Sequence, residues 1–379
     1  MTVGWDDGLD WPGLPPLAGD RTVDACVVGL GGSGLAAVEE LADRGLSVVG
    51  VDAGRVAAGA AGRNGGFLLG GGAPFLHEAI DSWGADAAAA LYRATLRELD
   101  RLADALGPDV IRRVGSIRLA GRPGNSDAAE LADCAAHEAA LRAHSIAVER
   151  YDGELGQGLF LPDDAAMNPA RRATGLATAL NGRATLHEHT RVSTVDSKGV
   201  VTEHGVISAG VVIVAVDGRL DVLLPQLAAR VRTARLQMLA TAPVPARLPC
   251  PVYGRWGYDY AQQGPDGRLY VGGGRDQHVD AEWTTDTTPT APVQSWIEDV
   301  AARMAAQPVD VTHRWAASVG YTPDGRPLCV EVAPGVIAVG GYNGTGNLVG
   351  PALARAAVAL ALDGTPPPAW AASEQPTCH

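Results

Sequence analysis

Lysine is almost absent from this sequence: of 30 basic residues only Lys198 is a lysine, and the rest are arginine. That bias bears on composition and not on function. Basic residues are also the minority, 30 against 43 acidic, giving a formal net charge of -13. A nucleic-acid footprint needs a basic face, so the balance excludes that class of partner and leaves room for cationic ligands. No stretch approaches the roughly 20 apolar residues of a membrane span. Residues 1–20 carry Asp6, Asp7, Asp10 and Asp20 and no basic residue, unlike a secretory leader. The five cysteines (Cys26, Cys134, Cys250, Cys329 and Cys378) are scattered, with no C-x-x-C pair. An odd, dispersed set implies reduced thiols and a cytoplasmic setting. Metal-ligand spacings, internal repeats and a G-x-S-x-G nucleophile turn are all missing. Phenylalanine is scarce at three, whereas ten of the sixteen Trp and Tyr fall between Tyr253 and Tyr342.

What is present begins with a strand–turn–helix–strand unit: strand 23–28, a glycine turn, helix 34–44 and strand 47–52. A glycine-dense stretch, 54–72, follows and is too flexible for regular structure unless something orders it. Helices are expected at 85–106 and 126–142, with a strand over 112–120 between them. Asn168-Pro169 suits the start of a helix over 169–181. Short strands are expected at 185–188, 192–196, 199–202 and 211–216, then an antiparallel sheet over 230–275. Six carboxylates without a basic residue make 276–299 read as a solvated loop entering a helix near 293–304. Strand 336–340, a further glycine turn and helix 348–362 close the pattern. This order implies interleaved domains, with two glycine turns brought together although some 310 residues separate them.

Gly29-Leu30-Gly31-Gly32-Ser33-Gly34 follows a strand and opens a helix. The first glycine allows the tight turn, the second lets backbone approach a pyrophosphate, and the third lets helix and strand pack closely. The helix N-terminus offers free N–H groups to phosphate. Asp52 ends the second strand 18 residues after Gly34, where its carboxylate suits ribose hydroxyls and repels a 2′-phosphate. Ala53 and Arg55 continue that turn. Gly62-Arg63-Asn64-Gly65-Gly66 then supplies backbone N–H groups along which the second half of an extended FAD could thread. An NAD enzyme would usually run on into another regular βα unit. Arg63 is a candidate phosphate partner and Asn64 a candidate for the flavin edge. Gly341-Tyr342-Asn343-Gly344-Thr345-Gly346-Asn347-Leu348 opens the last helix, whose N-terminus would stabilise negative charge on a reduced flavin ring.

The ordered set of these three glycine segments with Thr322-Pro323-Asp324-Gly325-Arg326-Pro327 resembles the D-amino-acid-oxidase/glycine-oxidase superfamily. The G-R-N-G-G run is most similar to its gamma-glutamylputrescine-oxidase-like branch. The resemblance covers about residues 20–365 and implies non-covalent FAD. It implies an α/β plus α+β chain: a Rossmann-like FAD-binding domain (1–75, 165–225, 326–379) interleaved with an antiparallel-sheet substrate domain (76–164, 226–325). It further implies oxidation of an amine carbon to an imine that hydrolyses, with electrons passed to dioxygen or another acceptor. Val192 and Ala215 would flank the adenosine.

Three departures narrow the substrate. Members that oxidise amino acids carry an Arg three residues ahead of T-x-D-G-x-P, where this chain has Val319. Members acting on N-methyl amino acids carry a basic residue at the position of Leu348, and covalent-flavin members have a Cys near Ala317. A buried carboxylate without a cation costs several kcal/mol. The expected substrate is therefore an amine without an α-carboxylate, or else another Arg (Arg255, Arg275 or Arg314) supplies the clamp. Strand alternation would place Trp256, Tyr258 and Tyr260 on one face as an aromatic wall, with Tyr321 and Tyr342 beside the motifs. No catalytic residue is assigned, since hydride transfer needs alignment more than a strong base. The leading expectation is an FAD-dependent oxidase of a primary or secondary amine. The alternatives are an amino-acid oxidase or dehydrogenase with a relocated clamp, and a non-catalytic flavoprotein subunit.

Overall fold

Arg21–Val28 and Val48–Val51 are β-branched runs whose inner residues are buried on both faces, the signature of parallel strands covered by helices. In the computed structural model, which describes residues 3–372, they pair in parallel, with helix Gly32–Asp43 as the crossover. Gly205–Val214 lies parallel on the other side of Arg21–Val28, and Thr185–His187 extends the sheet beyond Val48–Val51. The first half of Gly205–Val214 closes a meander with Gly199–Thr202 and Val192–Asp196, while Val212, Ile213 and Val214 pair in parallel with Val336–Gly340. Helix Gly346–Asp363 packs along helix Gly32–Asp43. This unit comprises Asp10–Gly62, Ala170–Ala234 and the chain from Val319 onward.

The other unit comprises the chain up to Leu9, Arg63–Pro169 and Arg235–Ser318. Its eight-stranded sheet runs in the order Val311–Tyr321, Arg232–Thr241, Leu269–Gly273, Asp259–Gln263, Val252–Gly254, Ser116–Leu119, Gly156–Leu161, Glu149–Gly153. Ile117, Leu119, Val252, Ala261 and Val271 project to one face and bury Ile297, Val300, Ala301 and Met304 of helix Ala291–Ala305. On the opposite side Leu159 and Leu161 pack with Leu76, Tyr92, Cys134 and Leu141 from helices Leu76–Trp83, Ala85–Leu106 and Ala128–Ala143. Alternation in Ser116–Leu119 turns Ser116 and Arg118 away from the first of these cores.

Several expectations change. The chain crosses between units at 62/63, 169/170, 234/235 and 318/319, and its first residues join the sheet unit, where the sequence placed breaks at 75, 165, 225 and 325. The expected strand over 112–120 is two strands, Ile111–Arg112 and Ser116–Leu119, in different sheets, because Gly115 takes φ +70° between them. The stretch 54–72 holds helix Ala60–Arg63 and strand Phe67–Leu68. The acidic segment 276–299 is not simply solvated. Glu282 is buried in a bidentate pair with Arg235 and accepts a bond from Gln237, while Asp276 pairs with Arg255 and Glu298 with Arg314. Among the described residues no helix is long and apolar enough to cross a membrane. Four cysteines are buried free thiols, with Cys26, Cys250 and Cys329 pushed up to about 12 and Cys134 to about 11 by burial. Cys378 lies outside the described residues.

Candidate active site

In the Asp10–Gly62 part of its unit, the first glycine turn is shaped by steric necessity. Gly29 has φ +97°, and a Cβ there would lie 2.6 Å from the carbonyl oxygen of Ala215, the residue that leaves the neighbouring strand. Gly31 precedes helix Gly32–Asp43 without any side-chain cap, so the first N–H groups of the helix stay available to a ligand. Ser33 is buried near Gly350 of the last helix. Asp52 accepts from the backbone N–H groups of Leu30 (2.8 Å) and Gly54 (2.9 Å), which fixes its carboxylate beside the glycine turn. Burial is the main cause that raises its pKa, and the two N–H bonds oppose the shift. A carboxylate has about four acceptor sites, so two remain for ribose hydroxyls. Ala53 and Arg55 follow in the same loop, and Gly62 closes within 2.2 Å (measured from its would-be Cβ) of the Ala57 carbonyl. Val192 is half-buried at the start of its strand.

The second glycine turn is tied to the T-P-D-G turn by one side chain. Asn343, at φ +54°, accepts from the Thr322 N–H at 2.9 Å and donates to the carbonyls of Gly325 (3.0 Å) and Gly341 (2.8 Å). Its side-chain amide is committed within the protein and ties the two turns together. Asp217 accepts from the N–H groups of Gly341 (2.9 Å) and Gly320 (3.1 Å), and burial pushes it up to about 6. Thr345 donates to the Tyr342 carbonyl and leaves helix Gly346–Asp363 uncapped by a side chain. Arg172, fully buried, donates to the Asn347 carbonyl at 3.0 Å and lies against Gly32, joining the two glycine turns. Sequence reasoning passed over Asp217 and Arg172. The Tyr342 ring is buried against Gly346 and Gly350, and so belongs to the interior and not to an open pocket. Leu348 is likewise buried. Tyr321 is half-buried, its hydroxyl 3.6 Å from where a Cβ on Gly344 would stand.

In the sheet unit, the G-R-N-G-G run is ordered by protein contacts. Arg63 donates to the Ala316 carbonyl, and its own carbonyl accepts from the Trp315 indole. The Asn64 carbonyl accepts from Trp5, and its side chain accepts from Gly66 N–H at 2.8 Å. Gly65 packs against the Tyr260 ring, and Gly66 leaves room for the Gln262 amide. The expected aromatic wall does not form as drawn. Arg255 and Trp256 both take positive φ (51° and 54°), so a 3-10 turn replaces the alternation and the strand starts only at Asp259. Trp256 is 43% and Tyr258 40% exposed, and the Trp256 indole donates to Asp133. Tyr260 alone of the three faces Gly65, with Tyr253 opposite it on the neighbouring strand. The proposed clamps are occupied too: Arg255 pairs with Asp259 and Asp276, Arg314 with Gln294 and Glu298, and Arg275 lies over the Trp283 ring.

A strand–glycine turn–uncapped helix with a fixed acid, repeated by a second uncapped helix start, defines a dinucleotide-binding oxidoreductase fold. The chain belongs to the FAD dependent oxidoreductase family, whose match spans residues 24–360. It is 29% identical over 365 residues to a probable oxidoreductase OrdL of Rhizobium meliloti (strain 1021), covering 89% of this chain and 82% of that one. Its fold is similar to glycine oxidase from Geobacillus kaustophilus (TM-score 0.73, 20% identity, 91% and 96% of the two chains covered). It is also similar to L-proline dehydrogenase from P. horikoshii (TM-score 0.74, 18% identity, 92% and 95% covered) and to iminodiacetate oxidase from Chelativorans sp. BNC1 (TM-score 0.71, 18% identity, 92% and 99% covered).

Proposed function

We propose that this FAD-dependent oxidoreductase oxidises a C–N bond of a small primary or secondary amine to an imine, which water then hydrolyses, with dioxygen as the final acceptor. The observation that carries the reading is the pair of glycine turns, each opening onto a helix N-terminus without a side-chain cap, in the unit that also holds Asp52. The residues present suit the cofactor: the turn is closed to any Cβ at Gly29 and Gly34, and the helix N–H groups beyond it are unclaimed by side chains. FAD supplies two-electron acceptance from a C–H bond next to nitrogen.

The chain's own residues would do the rest. Backbone N–H groups at Gly31–Gly34 would bind the pyrophosphate without covalent attachment, and Asp52 would accept ribose hydroxyls. The start of helix Gly346–Asp363, held by Asp217, Asn343 and Arg172, would place a positive dipole end where negative charge develops. The amine reacts in its neutral form, which has the lone pair that the oxidation needs.

The purified holoprotein checks this directly. Flavin absorption bands, and their anaerobic bleaching by at least one member of an amine and amino-acid panel, are expected. A colourless protein that takes up no added FAD would sink the reading, as would a yellow one that no amine or amino acid bleaches.

A further inference from the structure

Four consecutive carbonyls of the G-R-N-G-G run are each held by a donor from elsewhere in the sheet unit. The Trp315 indole donates to Arg63 (2.8 Å), the Trp5 indole to Asn64 (2.8 Å), the Gln262 amide to Gly65 (2.6 Å) and the Met167 N–H to Gly66 (2.8 Å). A run with glycine at 65 and 66 samples many conformations when nothing holds it, so these bonds fix peptide planes that the sequence leaves loose. In a trans peptide the carbonyl and the N–H of the next residue point in opposite directions. Holding the Asn64 carbonyl therefore turns the Gly65 N–H away from Trp5. Gly66 donates to the Asn64 side chain at 2.8 Å, whereas the Gly65 N–H has no acceptor among the described residues.

Trp5 is built in for that bond. It stands ahead of the first strand, in the short turn Gly4–Asp6, and is 3% exposed. Its ring stacks on Tyr270, centroid to centroid 3.4 Å and 6° from parallel, and its carbonyl accepts from the Asn168 amide at 3.4 Å. Gly4 makes the close approach possible: a Cβ there would stand 2.8 Å from that of Ala240. Asp7 then ties the segment down through Arg268 at 2.7 Å. Stacking and burial alone would be met by phenylalanine. The indole N–H is what a phenyl ring lacks, and it is committed to one carbonyl of a run that packs against the Tyr260 ring.

We propose that Trp5 is a positioning residue for the cofactor: by holding the Asn64 carbonyl it aims the Gly65 N–H at the edge of the flavin ring. The donor is set before the ligand arrives, so its ordering does not weaken binding. An N–H aimed at the ring favours the reduced, more negative form over the oxidised one. The proposal rests on the reading that this run meets FAD, and it is independent of which donor the flavin oxidises.

The test compares the holoproteins of wild type, Trp5→Phe and Arg268→Gln by FAD titration and by the midpoint potential of the bound flavin. Trp5→Phe keeps a ring for Tyr270 and loses the donor. It should bind FAD about threefold to tenfold more weakly. Its two-electron potential should fall by about 30 mV, equivalent to about tenfold in the ratio of reduced to oxidised flavin. Arg268→Gln frees the segment at Asp7 and leaves the indole in place, so its potential should match wild type. An unchanged potential in Trp5→Phe overturns the proposal, as does an equal fall in Arg268→Gln, which would report a general loosening. If Trp5→Phe does not fold, amide exchange of wild type carrying isotope-labelled glycine decides. The Gly65 N–H should exchange at least about tenfold more slowly with FAD bound than after its removal, and equal rates overturn the proposal. A wild type that takes up no FAD sinks the cofactor reading and this proposal together. A yellow wild type with the expected Trp5→Phe shift, bleached by no amine or amino acid, retains the role of Trp5 and sinks the amine reading alone.

Discussion

A Cβ at Gly34 would stand 1.7 Å from the carbonyl oxygen of Gly29. The third glycine of the turn therefore leaves no room for adjustment: any side chain there drives the start of helix Gly32–Asp43 away from strand Arg21–Val28. The substitution Gly34→Ala is expected to destabilise the protein by about 1–3 kcal/mol or more. Flavin retained per chain after purification should fall with it. Full flavin content together with an unchanged Tm would contradict this role for Gly34.

Asn343 joins two turns through its side chain while holding φ +54°. Removing those bonds in Asn343→Gly should cost about 2–4 kcal/mol in denaturant unfolding. Asn343→Ala should cost about 1 kcal/mol more, because a Cβ is disfavoured in the left-handed region. Alanine normally outranks glycine, so the reversed order is the diagnostic outcome.

Asp217 is pushed up to about 6 from 3.8, chiefly by burial. The folded chain holds a proton that the unfolded chain has lost between these values. Its contribution is complete below about pH 3.8 and is lost as pH rises through about 6. Relative to Asp217→Asn, which has no such titration, wild-type stability should decline between about pH 4 and 6 and run parallel above 7. Parallel curves throughout that window would refute the assignment.

Cys26, Cys134, Cys250 and Cys329 are buried with raised thiol pKa values, so little nucleophilic thiolate forms near neutrality. A thiol reagent should leave all four unlabelled in the native protein and label them after denaturation, as peptide mapping would show.

How much of this was legible in the sequence depended on whether the signal was local. The turn Gly29–Gly34, Asp52 and the glycines ahead of the last helix sit inside short periodic segments, and the structure places them in a strand, turn and helix as expected. The aromatic wall failed because positive φ at Arg255 and Trp256 interrupts the two-residue period on which the reading relied. Arg118 gave no local sign, being one arginine in a short Ser-Ile-Arg-Leu strand. Its place under the Phe75 ring arises only when Ser116–Leu119 pairs with Val252–Gly254, more than a hundred residues later. Arg172 escaped for the same reason, since its partner Asn347 is 175 residues away.

The split pairing of Gly205–Val214, half to a meander and half to Val336–Gly340, has a consequence for synthesis. Arg21–Val28 is made long before Val336–Gly340, the parallel strand that completes the sheet it founds. The sheet unit waits as well, for Val311–Tyr321. Neither sheet can close until its last strand has been made, so strand edges that pair in the finished protein stand open while the intervening chain is elongating.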